Sequence, residues 1–279
     1  MSIIAISRGT FSGGEAVAQA IAERLGYRCA SREVILAAAW DYGLPADEIT
    51  RAMDERPPLW RRLAGQRETY LTLVRATLCQ HSAGGNLVYH GHLGHLFLPG
   101  ISHVIAVRVI ADTAYRVKAA MAQQKLSREE AIGYIQRVDR ERRLWTRFLF
   151  AVDWDDPRLY DLVVNLSHMS VATACETVAQ LADRPEFQTN PASRHAMREL
   201  ALRSQVSAVL VTDPRTKDAH LEVSADEGVV TIVGTTQSPA IVEAVPRVVW
   251  QVDGVKDVVS HVRLLREGAP LACAANASV

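Results

Sequence analysis

The chain has 279 residues, 48% hydrophobic and 22% charged, which is enough apolar material for a packed core and excludes a chain disordered throughout. Thirty-one Lys and Arg balance thirty-one Asp and Glu, so no overall electrostatic case exists for a nucleic acid or an anionic membrane surface. A length of this kind suits one domain of about 180–200 residues and another of about 70.

The first element is a short apolar run, Ile3 to Ile6, that reads as a buried strand. A Gly/Ser stretch follows, and Glu15 to Leu25 has helical spacing and stops at Gly26. Strand, glycine-rich turn and helix form the setting in which backbone N–H groups and a helix N-terminus hold phosphate. Laid on G-x-x-x-x-G-K-[ST], however, Gly9 to Ala16 places Glu15 at the lysine and Ala16 at the hydroxyl. The competing reading is a glycine-rich turn that only joins strand to helix.

"REVILAAAWDYGL" is a further helical pattern ending at Gly43, and residues 51–65, rich in charge with paired prolines, read as a surface crossing. A helix over "ETYLTLVRATLCQHSA" is broken by Gly84-Gly85. "NLVYHG" and "HVIAVRVIA" read as strands, and dense apolar strands alternating with helices predict a parallel sheet covered on both faces. Ser127 with Glu130 makes a capping-box pattern ahead of a helical face formed by Ala131, Ile132, Ile135 and Val138. The segment 137–147, "RVDRERRLWTR", carries five arginines in eleven residues. "YDLVVNLS" is a strand, and 170–182 is a closing helix.

Residues 183–193, "DRPEFQTNPAS", are polar with two prolines and read as a linker. Beyond it, "HLEVSADEGVVTIVGT" reads as a hairpin turning at Asp-Glu-Gly, and Ser238-Pro239 as the N-cap and first position of a helix running to about Val252. "VVSHVRLL" is a last strand, and the tail from Gly268 is small and polar enough to fray. No stretch is long and apolar enough (about 18 residues) to cross a membrane, and no basic N-terminal region leads into an apolar one. The four scattered cysteines read as reduced thiols, and a cytoplasmic location is expected.

Two stretches of the chain resemble known families. Residues 1–182 are similar to the cytidylate kinase-like family, a branch of the P-loop nucleoside monophosphate kinases. The resemblance is carried by "AISRGTFSGGEAVAQAIAERLGY", "RVIADTAYRV", "REEAIGYIQRVDRERR" and "VDWDDPRLYDLVVNLS". Residues 194–267 resemble a BON domain through "DEGVVTIVGTTQSP" and "VWQVDGVKDVVSHVRLL", leaving 268–279 as a flexible tail. The implied architecture is a three-layer α/β P-loop kinase-like parallel sheet followed by a small α+β BON-like domain.

The implied activity is ATP-dependent phosphorylation of a nucleoside monophosphate of the CMP or dCMP type, with Mg²⁺ brought by ATP and no metal site of the protein's own. A second implied reading is a catalytically impaired nucleotide-binding scaffold whose BON domain binds a protein or phospholipid. Family members often read S-R-x-x-G-S-G-G-R-E, so Ser7-Arg8 and Ser12-Gly13-Gly14 match. Gly14 then takes the lysine slot, Glu15 the hydroxyl slot, and Phe11 replaces a glycine, where a bulky side chain is expected to narrow the phosphate space. Where the family commonly has Gly-Arg after its middle strand, this chain has Gly91-His92.

By resemblance Arg142, Arg116 and Asp139 are the catalytic candidates, and Arg8, Ser12, Gly13, Gly14, Arg137 and Arg143 would hold nucleotide phosphates. Arginine suits that task because its planar fork offers several donors to phosphate oxygens. Without the resemblance, the arginines of 137–147 read sooner as a solvated helix face partnered along the helix by Asp139 and Glu141. Strand alternation would put His90 and His92 on one face, where with His95 a zinc site is conceivable; Asp153, Asp155 and Asp156 read more simply as a polar turn than as Mg²⁺ ligands.

Overall fold

A computed structural model describes residues 1–32 and 67–265. The helix expected over 32–44, the crossing at 51–65 and the tail from 268 lie outside the described residues, except that Arg32 is helical. Two compact units result, Met1–Ser204 and Gln205–Val279.

In the first unit the strands are β1 (Ile3–Arg8), β2 (Arg28–Ser31), β3 (Leu87–Gly91), β4 (Val104–Ile110) and β5 (Leu162–Asn165). They form a parallel sheet in the order β2-β3-β1-β4-β5. The described helices are α1 (Gly14–Leu25), α2 (Arg67–Ser82), α3 (Thr113–Gln124), α4 (Arg128–Phe150), α5 (Val171–Ala182) and α6 (Pro191–Thr212). Alternate strand residues Ile4, Ile6, Val88, Ile105, Val107 and Val109 pack with Val17, Ala18 and Ile21 of α1 and Ala174 and Val178 of α5. Ile3, Ala5, Leu87 and Tyr89, which project the other way, are buried too. Burial on both faces is why these strands read as unbroken apolar runs.

Local chemistry sets the helix starts. Asp112 caps α3 by accepting from Tyr115 N (2.7 Å), and Ser170 caps α5 by accepting from Thr173 N (3.0 Å). The capping box at α4 is complete: Glu130 N donates to Ser127 Oγ (3.3 Å) and Ser127 N donates to Glu130 Oε2 (2.8 Å). Helix α6 takes in the last three residues of the expected linker, 191–193, and the division between the two units falls inside it.

The second unit is a three-stranded sheet of β6 (His220–Asp226), β7 (Val229–Thr236) and β8 (Asp257–Leu264), in that order. β6 and β7 pair antiparallel through a two-residue turn, Glu227-Gly228, with φ of 49° and 88°; positive φ at both positions matches the right-handed strand twist. β8 lies parallel to β7, so α7 (Pro239–Val249) makes the crossover.

Candidate functional site

The chain leaves β1 on one side of the sheet through α1 to β2, and leaves β4 on the other through α3 and α4 to β5. β1 and β4 are neighbours, so the crevice where the direction reverses opens at their carboxyl ends, and the loop 9–13 sits in it. Gly9 N donates to Val109 O (3.4 Å), Ser12 N to Gly9 O (3.2 Å) and Ser12 Oγ to Val109 O (3.0 Å). Ser12, expected among the phosphate holders, thus has both donors committed to the loop's own shape.

Gly13 is left-handed at φ 83°, and a Cβ there would stand 2.6 Å from Leu166 Cδ1. A Cβ at Gly14 would stand 2.5 Å from Arg8 Cβ, so no side chain fits the lysine slot while Arg8 lies across it. Arg8 Nε is buried without a hydrogen-bond partner. Gly13 offers α1 no side-chain cap, which leaves the first-turn N–H groups and the positive end of the helix to an anion.

Phe11 corrects an expectation. Its φ is 56°, and its ring leaves the loop to pack beside Val117, Ala120, Ala131 and Ile135 of α3 and α4, with the Tyr134 ring 5.8 Å away. It therefore does not narrow the phosphate space. Burial of an aromatic ring offsets the cost of a left-handed backbone, of order 1–3 kcal/mol. Exposed Arg137 lies over the same Tyr134 ring at 5.3 Å.

Arg116 and Asp139 come together at the loop, one from α3 and one from α4. Arg116 Nε donates to Thr10 O (2.7 Å) and its Nη2 pairs with Asp139 Oδ2 (2.5 Å). Asp139 Oδ1 in turn accepts from Thr10 Oγ1 (2.8 Å) and from Thr10 N (3.4 Å). Thr10 is thus held at its carbonyl, amide and hydroxyl by one ion pair whose side chains are 16% and 17% exposed.

Further along α4, Arg142 O accepts from Thr146 Oγ1 (2.8 Å), and Thr146 Oγ1 meets the ring of His92 at Nε2 (2.5 Å). Residues 139, 142 and 146 follow the i, i+3, i+7 spacing of one helix stripe. His92 is buried, and burial followed by the charges of Arg142, Arg32 and Arg108 holds its pKa well below 6.5. His92 follows β3 with its ring 5.1 Å from that of Trp154, over which the Arg108 guanidinium lies at 4.2 Å, and Arg32 follows β2.

Arg143 and Arg147 take their partners off the helix. Arg143 pairs with Asp155 (3.3 Å) and Arg147 with Asp153 (3.3 Å), both in the turn before β5, while Asp156 caps the following turn by accepting from Arg158 N. β3 ends at Gly91 and the chain turns at Leu93 (φ 52°), so strand alternation does not carry His92 to the face of His90. Among the described residues no three His, Cys, Asp or Glu side chains are placed to hold a metal ion. Trp145 is buried in ring contact with Tyr70 and Phe148, as a core residue.

Burial also lowers His95, to about 4, and His103. A histidine kept neutral by the fold stabilises it fully above its unfolded pKa of about 6.5 and progressively less as the pH falls below that value, because the unfolded chain binds the proton that the folded one refuses. The urea midpoint of the first unit is accordingly expected to be lower at pH 5 than at pH 7.5; equal midpoints would contradict neutral burial of these rings.

Against known proteins, residues 3–168 match the cytidylate kinase-like family, a span covering more than half of the chain. The chain belongs to the cytidylate kinase-like family. Residues 199–266 match the BON domain. No curated protein matches. Among solved structures, the kinase-like domain is similar to an uncharacterised protein from Eubacterium ventriosum ATCC 27560, with 20% identity over 66% of this chain and 99% of that one and a TM-score of 0.51, which supports the fold alone. TT1252 from Thermus thermophilus (19% identity, 64% and 95% covered, TM-score 0.41) and shikimate kinase from Acinetobacter baumannii in complex with shikimate (12%, 65% and 92%, TM-score 0.39) are more distant. The architecture is that of a P-loop kinase-like domain with a BON domain after it. Among the described residues no helix is long and apolar enough to cross a membrane, and Cys29, Cys79 and Cys175 are free thiols.

Arg108, Arg32, Thr10 and Trp154 are the members of this site that sequence reasoning missed. For Arg108 a signal existed: it is the one charge inside the buried run "VIAVRVIA".

Proposed function

We propose that the cytidylate kinase-like domain transfers the terminal phosphoryl group of ATP to a nucleoside monophosphate of the CMP or dCMP type. The observation that carries this reading is the stripe on α4. Asp139 engages the loop through Thr10, Arg142 lies one turn on, and Thr146, two turns on, meets His92 in the cluster of His92, Trp154 and Arg108. A donor on the loop and an acceptor at the cluster would face each other across Arg142, the arrangement that phosphoryl transfer requires.

In this reading the N–H groups of Gly13 and Gly14 and the first turn of α1 hold the donor phosphates, and Arg8 supplies the positive charge of the absent lysine. Arg116, Arg137 and Arg143 complete the cationic surround. Mg²⁺ would neutralise charge on the transferring phosphates; with the Ser12 hydroxyl spent on Val109, phosphate oxygens and water would supply its ligands.

The lysine slot closed by Arg8 favours a second reading, a nucleotide-responsive scaffold in which the BON domain contacts a protein or phospholipid. Calorimetric titration with ATP–Mg²⁺ and with CMP, each followed by coupled measurement of ADP release, separates the two. A kinase binds both and releases ADP only when CMP is present. Binding without ADP release leaves the scaffold, and absence of binding to either removes both readings.

A further inference from the structure

We infer that Arg108 anchors a buried oxyanion subsite that takes the phosphate monoester of the acceptor, an inference that rests on the phosphotransferase reading and deepens it. Where the resembled family commonly carries Gly-Arg after β3, this chain has Gly91-His92. That histidine is neutral, and the cation nearest in function comes instead from the interior of β4.

Arg108 lies two residues before the carboxyl end of β4, in register with Ser7 of β1 and Val163 of β5, and is 5% exposed. Burying a guanidinium there is expensive unless its donors and charge are met. They are only partly met. Nη2 pairs with Asp155 (3.0 Å), but Asp155 is half-exposed and also pairs with Arg143 (3.3 Å), so one carboxylate is divided between two cations. Nη1 of Arg108 is buried with no hydrogen-bond partner.

The guanidinium lies over the Trp154 ring, 4.2 Å from its centroid, with the Tyr160 ring at 5.8 Å. Trp154 is itself 2% exposed, and its Nε1 is a second buried donor without a partner. Stacking fixes the plane of the guanidinium, and with it the direction of its fork, which a flexible ammonium could not achieve. Arg142 and Arg32 lie close enough for their charges to act on His92, as does Arg108.

A buried cation with an orphaned donor, as Arg108 is, costs stability unless an anion completes it. A phosphate monoester does so: it carries up to two negative charges and three acceptor oxygens for a rigid fork. Neutral His92, held by Thr146, adds a hydrogen-bonding wall without a further repulsive charge.

The test uses the full chain with inorganic phosphate, CMP and cytidine as probes, read by calorimetry and thermal denaturation. Wild type is expected to be stabilised saturably by phosphate and to bind CMP at least tenfold more tightly than cytidine. Arg108→Met should lose the Arg108-dependent phosphate stabilisation and bring CMP and cytidine to within about twofold of each other. Arg108→Lys keeps the charge but not the stacked fork, and should weaken phosphate binding severalfold. If Arg108→Met does not fold, that Lys variant decides: weakened phosphate binding supports the subsite, and unchanged binding overturns it.

Phosphate stabilisation and CMP preference retained in full by Arg108→Met would place the anion on the loop and overturn the inference, as would a wild type indifferent to both ligands. An Arg108-dependent phosphate response with no preference for CMP over cytidine keeps the subsite and removes the nucleoside monophosphate reading. The two failures are thereby distinguished.

Discussion

Arg142→Ala is expected to lower kcat/KM for phosphoryl transfer to CMP by about 10²–10³-fold, or about 3–4 kcal/mol of transition-state stabilisation. The reasoning is positional. Arg142 shares a stripe of α4 with Asp139, which touches the phosphate loop, and with Thr146, which touches His92. Its charge lowers the pKa of the His92 ring, and in the proposed reading it serves the acceptor while Asp139 ties its helix to the loop. A guanidinium there meets charge that develops only as the phosphoryl group moves, and such an interaction appears in kcat rather than in ground-state affinity. ATP–Mg²⁺ affinity and the thermal midpoint should therefore stay near wild type. A loss below threefold would return the α4 arginines to the role of a charged helix face.

The frame around these residues was largely legible because local signals agreed. The apolar run at Ile3, the glycine-rich turn, the capping box at Ser127 and the Glu227-Gly228 turn each act over a few residues, and periodicity or turn chemistry reads them directly. The miss at α6 has an instructive cause. Asn190-Pro191 starts that helix as Ser238-Pro239 starts α7, and Asn190 and Ser193 exchange side-chain bonds there (2.8 and 3.0 Å). Polar residues and prolines outweighed the cap in the reading, although Pro at the first helical position is a start signal.

The site was less legible, since its logic is tertiary. The resemblance made Arg116 and Asp139 catalytic candidates, yet Asp139 reaches Thr10 across 129 positions of chain, and no spacing rule covers that distance. The family pattern already gave glycine at the lysine slot; the Arg8 side chain lying across Gly14 supplies the physical reason, which no sequence spacing shows.

Asp139→Ala is expected to destabilise the first unit by about 2–3 kcal/mol, somewhat below the cost of breaking a fully buried ion pair because each partner keeps about one-sixth of its surface in water. Three contacts go at once: the pair with Arg116, the acceptor for Thr10 Oγ1 and the acceptor for Thr10 N. Arg116 would remain tethered to Thr10 O, so its charge stays partly buried and uncompensated, which is where most of the cost arises.

A graded series separates charge from geometry. Asp139→Asn preserves an acceptor for Thr10 but removes the charge, and should cost about half as much. Thr10→Val removes one hydroxyl bond and should cost about 1 kcal/mol. Urea unfolding of the three variants gives the order directly. If instead Asp139→Asn leaves the midpoint untouched while abolishing turnover, Asp139 acts on the substrate and not on the loop. The clamp predicts the reverse order of losses, with stability falling first and activity following as the Thr10 end of the phosphate loop loosens.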